Sequence, residues 1–168
     1  MPLLKWRKLD LRGIAMKHSY KLSDAIHILT YVDIYKNDDL SSTRIAASIE
    51  ANASVVRNLM SKLKKAGLLN NQPGVARASL AKPASEISVL DVYRAITSTA
   101  SLLHVDPKTN PNCVVGANIQ NTLEEVYQRV QNAAELEMSQ ISIQDVIDGV
   151  LESERLKQKA GGDGEELD

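Results

Sequence analysis

Apolar residues recur along this chain at helical spacing, and only short stretches alternate as strands do. From Leu22 to Tyr35 the apolar positions are Leu22, Ala25, Ile26, Leu29 and Val32. Steps of three and four put them on one helical face. Ser23 offers a cap near the start, and Asn37-Asp38-Asp39 breaks the pattern. A short helix is predicted next, through Glu50, with hydroxyl caps in Ser41-Ser42-Thr43 and Ile45, Ala46 and Ile49 turned inward. Asn52 is a good N-cap for a longer helix over 53–66, whose inward positions are Val56, Leu59, Met60 and Leu63. Gly67 stands where a left-handed C-terminal cap belongs.

The pattern then changes. Leu68-Leu69 predicts a short strand, Asn70-Asn71-Gln72-Pro73-Gly74 is dense in turn residues, and Ala78-Ser79-Leu80 predicts the returning strand. Ser88-Val89-Leu90-Asp91 resembles a capping box, with Asp in the place of Glu. It opens a helix carrying Val89, Val92, Tyr93 and Ile96. Residues 97–112 are loop-rich and contain Pro107 and Pro111. The longest helical pattern starts at Gly116 or Asn118 and runs to about Met138. Its apolar residues Ile119, Leu123, Val126, Val130 and Ala133 are four, three, four and three apart, the spacing of a coiled coil. Ser142 caps a last short helix through Val146, Ile147 and Val150, and a Gly-rich acidic tail follows.

Composition agrees with a helical core. Of the 168 residues 43% are hydrophobic, none is Phe, and aromatics are 4%, so the interior must be aliphatic. No apolar run reaches the roughly 18 residues of a membrane span, and no signal peptide is evident, which predicts a cytoplasmic protein. The single cysteine, Cys113, excludes an internal disulfide framework. Residues 1–15 have no clear period and precede a second methionine. Arg12 and Gly13 codons can spell a ribosome-binding sequence, which makes Met16 the expected start and 1–15 a translated leader; a flexible basic arm is the alternative. The net charge of −1 conceals an asymmetry. Lys17 to Lys82 holds ten Lys and Arg against five Asp and Glu, whereas Leu123 to Asp168 holds four against twelve. The first half suits an anionic partner.

The segment from Ser42 to Ala66 has the proportions of a helix-turn-helix, and the hairpin after it adds a wing. Outward residues of the second helix are predicted to be Ala53, Ser54, Val55, Arg57 and Asn58. Arg57 suits guanine, Asn58 suits adenine, and Ala53 or Val55 suits a thymine methyl. Lys62, Lys64 and Lys65 suit phosphates, as do Ser42 and Arg44 at the start of the bracing helix. Asn52 opens the reading helix, and Arg77 near the hairpin tip is placed for the minor groove. No enzyme site emerges: there is no phosphate-binding glycine loop, and His18, His27 and His104 lack metal-ligand spacing.

Three stretches resemble the Rrf2 family of bacterial winged-helix regulators: Ser41-Ser42-Thr43-Arg44-Ile45-Ala46, then Leu63-Lys64-Lys65-Ala66-Gly67-Leu68-Leu69, then Ile87 through Ile96. Their order and spacing match over about 120 residues, from about Met16 to Val150. The resemblance implies a helix from Asn52 in the major groove, a wing in the minor groove, and a homodimer built on a long helix at 118–138. It turns Ile119, Leu123, Val126 and Val130 into a dimer seam. The expected fold is mainly α: a winged helix-turn-helix with a small two-stranded β-wing, plus a long C-terminal dimerisation helix. Residues 16–98 form the winged domain, 99–117 a sensor-type loop, 118–152 the dimerisation helix and a short terminal helix, and 153–168 a disordered acidic tail.

The sequence departs from the family in two places. The wing tip, Gln72-Pro73-Gly74-Val75-Ala76-Arg77, is not the usual glycine-rich one. Cluster-binding members carry three cysteines before the long helix, and this chain carries Cys113 alone. An iron–sulfur cluster needs about four ligands, mostly thiolates. No cofactor or metal is therefore expected, even with His104 and Asp106 nearby. Cys113 lies just before a helix N-terminus, which favours a thiolate and makes it a candidate redox sensor. The expected function is a homodimeric DNA-binding regulator, a repressor on a pseudo-palindromic operator, responsive to thiol oxidation. The alternatives are a regulator answering to a metabolite or partner enzyme, and a winged-helix protein-interaction module.

Overall fold

Caps and local hydrogen bonds set the boundaries of most helices. The computed structural model describes residues 20–70, 78–97 and 101–162. The expected leader at 1–15 and the wing tip with Arg77 lie outside these residues. The helices are α1 (Lys21–Ile34), α2 (Ser42–Ile49), α3 (Ala53–Lys65), α4 (Val89–Ile96), α5 (Val114–Gln140) and α6 (Ile143–Gly162), with a 3₁₀ turn at Ala84–Glu86.

Ser41 caps α2, its hydroxyl accepting from the Arg44 N–H, and Asn52 caps α3 by accepting from the Ser54 N–H. Both satisfy a backbone donor that the first helical turn leaves orphaned. Gly67, at φ +70°, closes α3. The Leu68 N–H reaches the Leu63 carbonyl and the Gly67 N–H reaches that of Lys64, the paired bonds of a Schellman cap. Ser88 and Asp91 form a reciprocal capping box on α4. Burial raises the Asp91 carboxyl pKa, but the Ser88 N–H and hydroxyl and the Lys82 charge outweigh it and hold the carboxyl below its ordinary value. Ser142 and Asp145 repeat the same exchange at the start of α6. Ser23 does not cap α1: that helix begins at Lys21 after Tyr20, with no side-chain cap.

The core lies between α1, α2, α3, α4 and the first turns of α6. Ile28, Leu29, Ile45, Leu59, Leu63, Ile87 and Ile143 are wholly buried in it. Each such side chain contributes about 1.5–3 kcal/mol relative to exposure. Ile143 and Ile147 carry α6 back onto the core formed by α1 to α4. An antiparallel bridge between Ser88 and Ser142 fixes that return, with Val89 N–H on the Ile141 carbonyl and Ile143 N–H on the Ile87 carbonyl, each at 2.8 Å. The last helix is therefore part of the core built by α1 to α4 rather than an appendage to the long helix.

Three expectations change. First, α6 does not stop near Val150, and the tail does not lose its helix at residue 153. Leu, Glu, Arg, Lys, Gln and Ala extend the helix by propensity. A two-bond pair from Arg155 to Glu152 and a Gln158–Glu154 bond support it locally. Second, the loop ends at Cys113, not at residue 117, because α5 starts at Val114. Gly116 in its first turn lets the Asn110 carbonyl approach; a Cβ there would collide with that oxygen. Third, no strand forms among the described residues. The arms of the hairpin meet in a single antiparallel bridge, Leu69 to Leu80, flanked by Asn70 N–H to the Ser79 carbonyl and Ala81 N–H to the Leu68 carbonyl.

Candidate nucleic-acid interface

α3 has two chemically opposite faces. Val56, Leu59, Met60 and Leu63 are buried. On the opposite side of the helix, Ser54, Arg57, Asn58, Ser61 and Lys65 are exposed. No acidic residue lies in α3, so its outer surface carries only positive charge. α2 braces it across a turn whose corner is Glu50, in the left-handed region at φ 57°. A non-glycine residue there costs about 1 kcal/mol or more. The strain is held by Ala51 N–H on the Ala46 carbonyl and by the buried Ile45 and Ala46.

Most predicted reading residues stand together on this surface. Ser54, Val55, Arg57 and Asn58 are exposed, with Val55 at 42%. Ala53 does not face outward; it is half-buried and packs on the core. Lys62 is turned away as well. Its Nζ donates to the Ile96 carbonyl at 3.1 Å, at the C-terminal end of α4. A cation there satisfies a terminal carbonyl and meets the negative end of the helix dipole. Lys62 thus ties α3 to α4, and Lys65 is the exposed lysine of the last turn. Ser61, which the sequence reading passed over, stands in the middle of the outward stripe; the three-and-four spacing from Ser54 and Asn58 would have found it.

Arg44 is exposed at the start of α2. Ser42 beside it is half-buried and accepts a hydrogen bond from Arg57 Nη1 at 3.3 Å. The hydroxyl expected to meet phosphate is therefore also engaged with the reading helix. Lys82 reaches Asp91 at 3.7 Å and ties the base of the hairpin to α4.

α5 contrasts with α3. It packs on α4, where Arg94 meets Glu135 at 2.7 Å, and none of its 27 residues is buried. The loop before it docks on its side through Leu102 N–H to Gln131 and Gln120 to the Asp106 carbonyl. Ile119 and Leu123 are half-buried, while Val126 and Val130 are 44% and 45% exposed. These four share one flank of the helix, and Val115 extends it. Cys113 is the exposed N-cap residue of α5. Its sulfur makes no hydrogen bond of ordinary length to the helix, yet the N–H groups of Gly116 and then Val115 face it and lower its pKa.

A family model described as an iron-dependent transcriptional regulator, Rrf2, matches residues 18–149. The chain belongs to the Rrf2 family. Its family is one of transcriptional regulators and not of enzymes. A Bacillus subtilis (strain 168) protein named "Putative HTH-type transcriptional regulator YwnA" is 42% identical over 127 residues, spanning 76% of this chain and 94% of its own. A crystal structure of "a putative DNA binding protein" is 41% identical, covers 76% of this chain and 98% of its own, and superimposes with a TM-score of 0.61. The fold is also that of CymR, the global cysteine regulator of B. subtilis, at 18% identity, 79% and 97% coverage and a TM-score of 0.58. Among the described residues no helix of this Rrf2 protein is long and apolar enough to cross a membrane.

Proposed function

We propose that this Rrf2 protein binds duplex DNA in the cytoplasm as a homodimer and represses transcription from a pseudo-palindromic operator. The observation that carries this reading is α3: a capped helix with a wholly apolar inner face and an outer face of Ser54, Arg57, Asn58, Ser61 and Lys65. Such a helix is held rigidly by the core while it offers donors and acceptors to a major groove. The antiparallel bridge between Leu69 and Leu80 supports a wing in this reading; the minor-groove role expected of Arg77 falls on a residue outside those described. The second copy covers Ile119, Leu123, Val126 and Val130.

Titration of the protein into labelled duplexes from its own upstream region, over a series of salt concentrations, tests this reading. Affinity is expected to fall linearly on a log–log plot as salt rises, because bound phosphates release counterions. Absence of binding to any duplex at low salt would overturn it and favour a protein-interaction module.

A second reading concerns the signal. Cys113 is exposed, and its thiol pKa is lowered by the Gly116 and Val115 N–H groups. A thiol activated in this way reacts with peroxide to give a sulfenic acid and water, and a second thiol, from the other copy or from a small molecule, then displaces water from it to form a disulfide. Either product changes the N-terminus of α5 and with it the dimer. Replacing Cys113 by Ser is expected to abolish the response of DNA binding to peroxide; an unchanged response rejects the switch. The family description carries iron dependence. Cys113 is the chain's single thiol, and no three His, Cys, Asp or Glu side chains come together among the described residues. That donor set does not fit a thiolate-held cluster, so the regulator is proposed to work without one.

A further inference from the structure

Two hydrogen bonds inside the helix-turn-helix constrain how α3 meets a base pair. The first concerns Ser54. Its backbone N–H lies 2.8 Å from Asn52 Oδ1, and its Oγ lies 2.8 Å from the same atom. A backbone N–H can only donate, so the Asn52 atom must be the carbonyl oxygen. The Ser54 hydroxyl sharing that oxygen therefore spends its one hydrogen on Asn52. A free serine rotates to donate or accept. Ser54 has lone pairs left and nothing to donate.

The second bond runs from Arg57 Nη1 to Ser42 Oγ, across from α3 to the first turn of α2. It anchors one guanidinium nitrogen and leaves Nη2 and Nε for a ligand. Ser54 and Arg57 are three residues apart on the exposed face, a rise of about 4.5 Å. Base pairs stack at roughly 3.4 Å, so the two side chains are near enough to address neighbouring pairs.

We propose that Asn52 and Ser42 are positioning residues that fix the polarity of base reading by α3. Ser54 then selects adenine or cytosine on the strand it faces, and Arg57, steadied by Ser42, selects guanine beside it. The first selection follows from the groove. Adenine N6 and cytosine N4 offer a hydrogen to lone pairs, whereas guanine and thymine set acceptor oxygens against them. Every pair carries one amino group in the major groove, so an acceptor-only serine reads which strand holds it. This inference rests on the DNA-binding reading above, and it gives Ser42 a task other than phosphate contact.

Selection from duplexes randomised across a half-site tests it, run on the full-length protein and its variants. The unmodified protein is expected to enrich a guanine next to an adenine or cytosine. Asn52→Gly still permits the helix start but frees the Ser54 hydroxyl, and Ser54→Ala removes the acceptor. Each is expected to lose about tenfold of the adenine-or-cytosine preference, the size of one net hydrogen bond. Asn52→Asp keeps the acceptor and is expected to keep the preference while overall affinity falls, since its charge faces phosphates. Ser42→Ala is expected to weaken the guanine preference without changing the salt slope, and to add little to Arg57→Ala. Enrichment of guanine or thymine opposite Ser54, or an unchanged preference in both Asn52→Gly and Ser54→Ala, would overturn the proposal. A uniform loss with a shallower salt slope in Ser42→Ala would return that residue to phosphate contact and overturn its assigned role. Failure of the unmodified protein to enrich any duplex sinks the DNA-binding reading itself, and it is visible before any variant is compared.

Discussion

α3 and α5 are both amphipathic, and they settle their apolar faces in different ways. α3 buries Val56, Leu59, Met60 and Leu63 within its own protomer and leaves a polar outer face. α5 is twice as long, 27 residues against 13, and buries none. Apolar flanks such as Val115, Val126 and Val130 stay open. A helix of that length gets most of its stability from packing, not from propensity. The first helix is thus posed by intramolecular packing and cannot shift without disturbing the core. α5 has a flank that the described residues leave open, and a second copy is the partner proposed for it.

The strongest way to break this contrast is to remove a core contact from α3. Leu63 is wholly buried, and Leu63→Ala is expected to cost about 2–5 kcal/mol of stability through lost burial and the cavity left behind. Thermal denaturation should show a loss independent of protein concentration. Charges on the α5 flank should act differently. Val126→Asp with Val130→Asp is expected to raise the dimer dissociation constant at least about a hundredfold, or about 2.7 kcal/mol, with the protomer's helical content unchanged. Sedimentation across a dilution series measures this; an unchanged mass at every concentration would show that the flank is not the seam.

The smallest expected effect lies between the two helices, at the box that starts α4. Ser88→Ala removes one cap bond and is expected to cost about 1 kcal/mol. The companion carboxyl gives a pH signature. Asp91 has a folded pKa below its unfolded one. Its stabilisation is present above the unfolded value, near 4, and is lost as pH falls through the folded value. The stability of the parent protein should therefore fall as pH drops below about 4, and Asp91→Asn, which cannot ionise, should lack that part of the fall. An equal fall in both would show that Asp91 does not carry the pH dependence.

Local chemistry was legible in the sequence. Asn52, Gly67 and Ser88 with Asp91 act on neighbours one to three residues away, so their caps read directly from the letters. The four inward residues of α3 followed from spacing alone. The outward side was less legible. Lys62 has the spacing of a phosphate contact, but α4 ends beside it and takes its ammonium. Ala53 lies at the edge of the stripe, where a small rotation of the helix decides between core and solvent. Glu50 carries no sign of a left-handed turn, because glutamate has no preference for one; the packing of α2 on α3 imposes it.

By itself the sequence determined the order of helices, their caps and the division of α3 into an apolar and a polar face. These depend on interactions within a turn or two of the chain, where spacing is geometry. Only the tertiary structure decided that α6 returns to complete the core through Ile143 and Ile147, that Lys62 serves α4, and that Ser42 holds the Arg57 side chain. Those outcomes join residues far apart in the chain. No periodicity encodes them, because they depend on which surfaces meet in space.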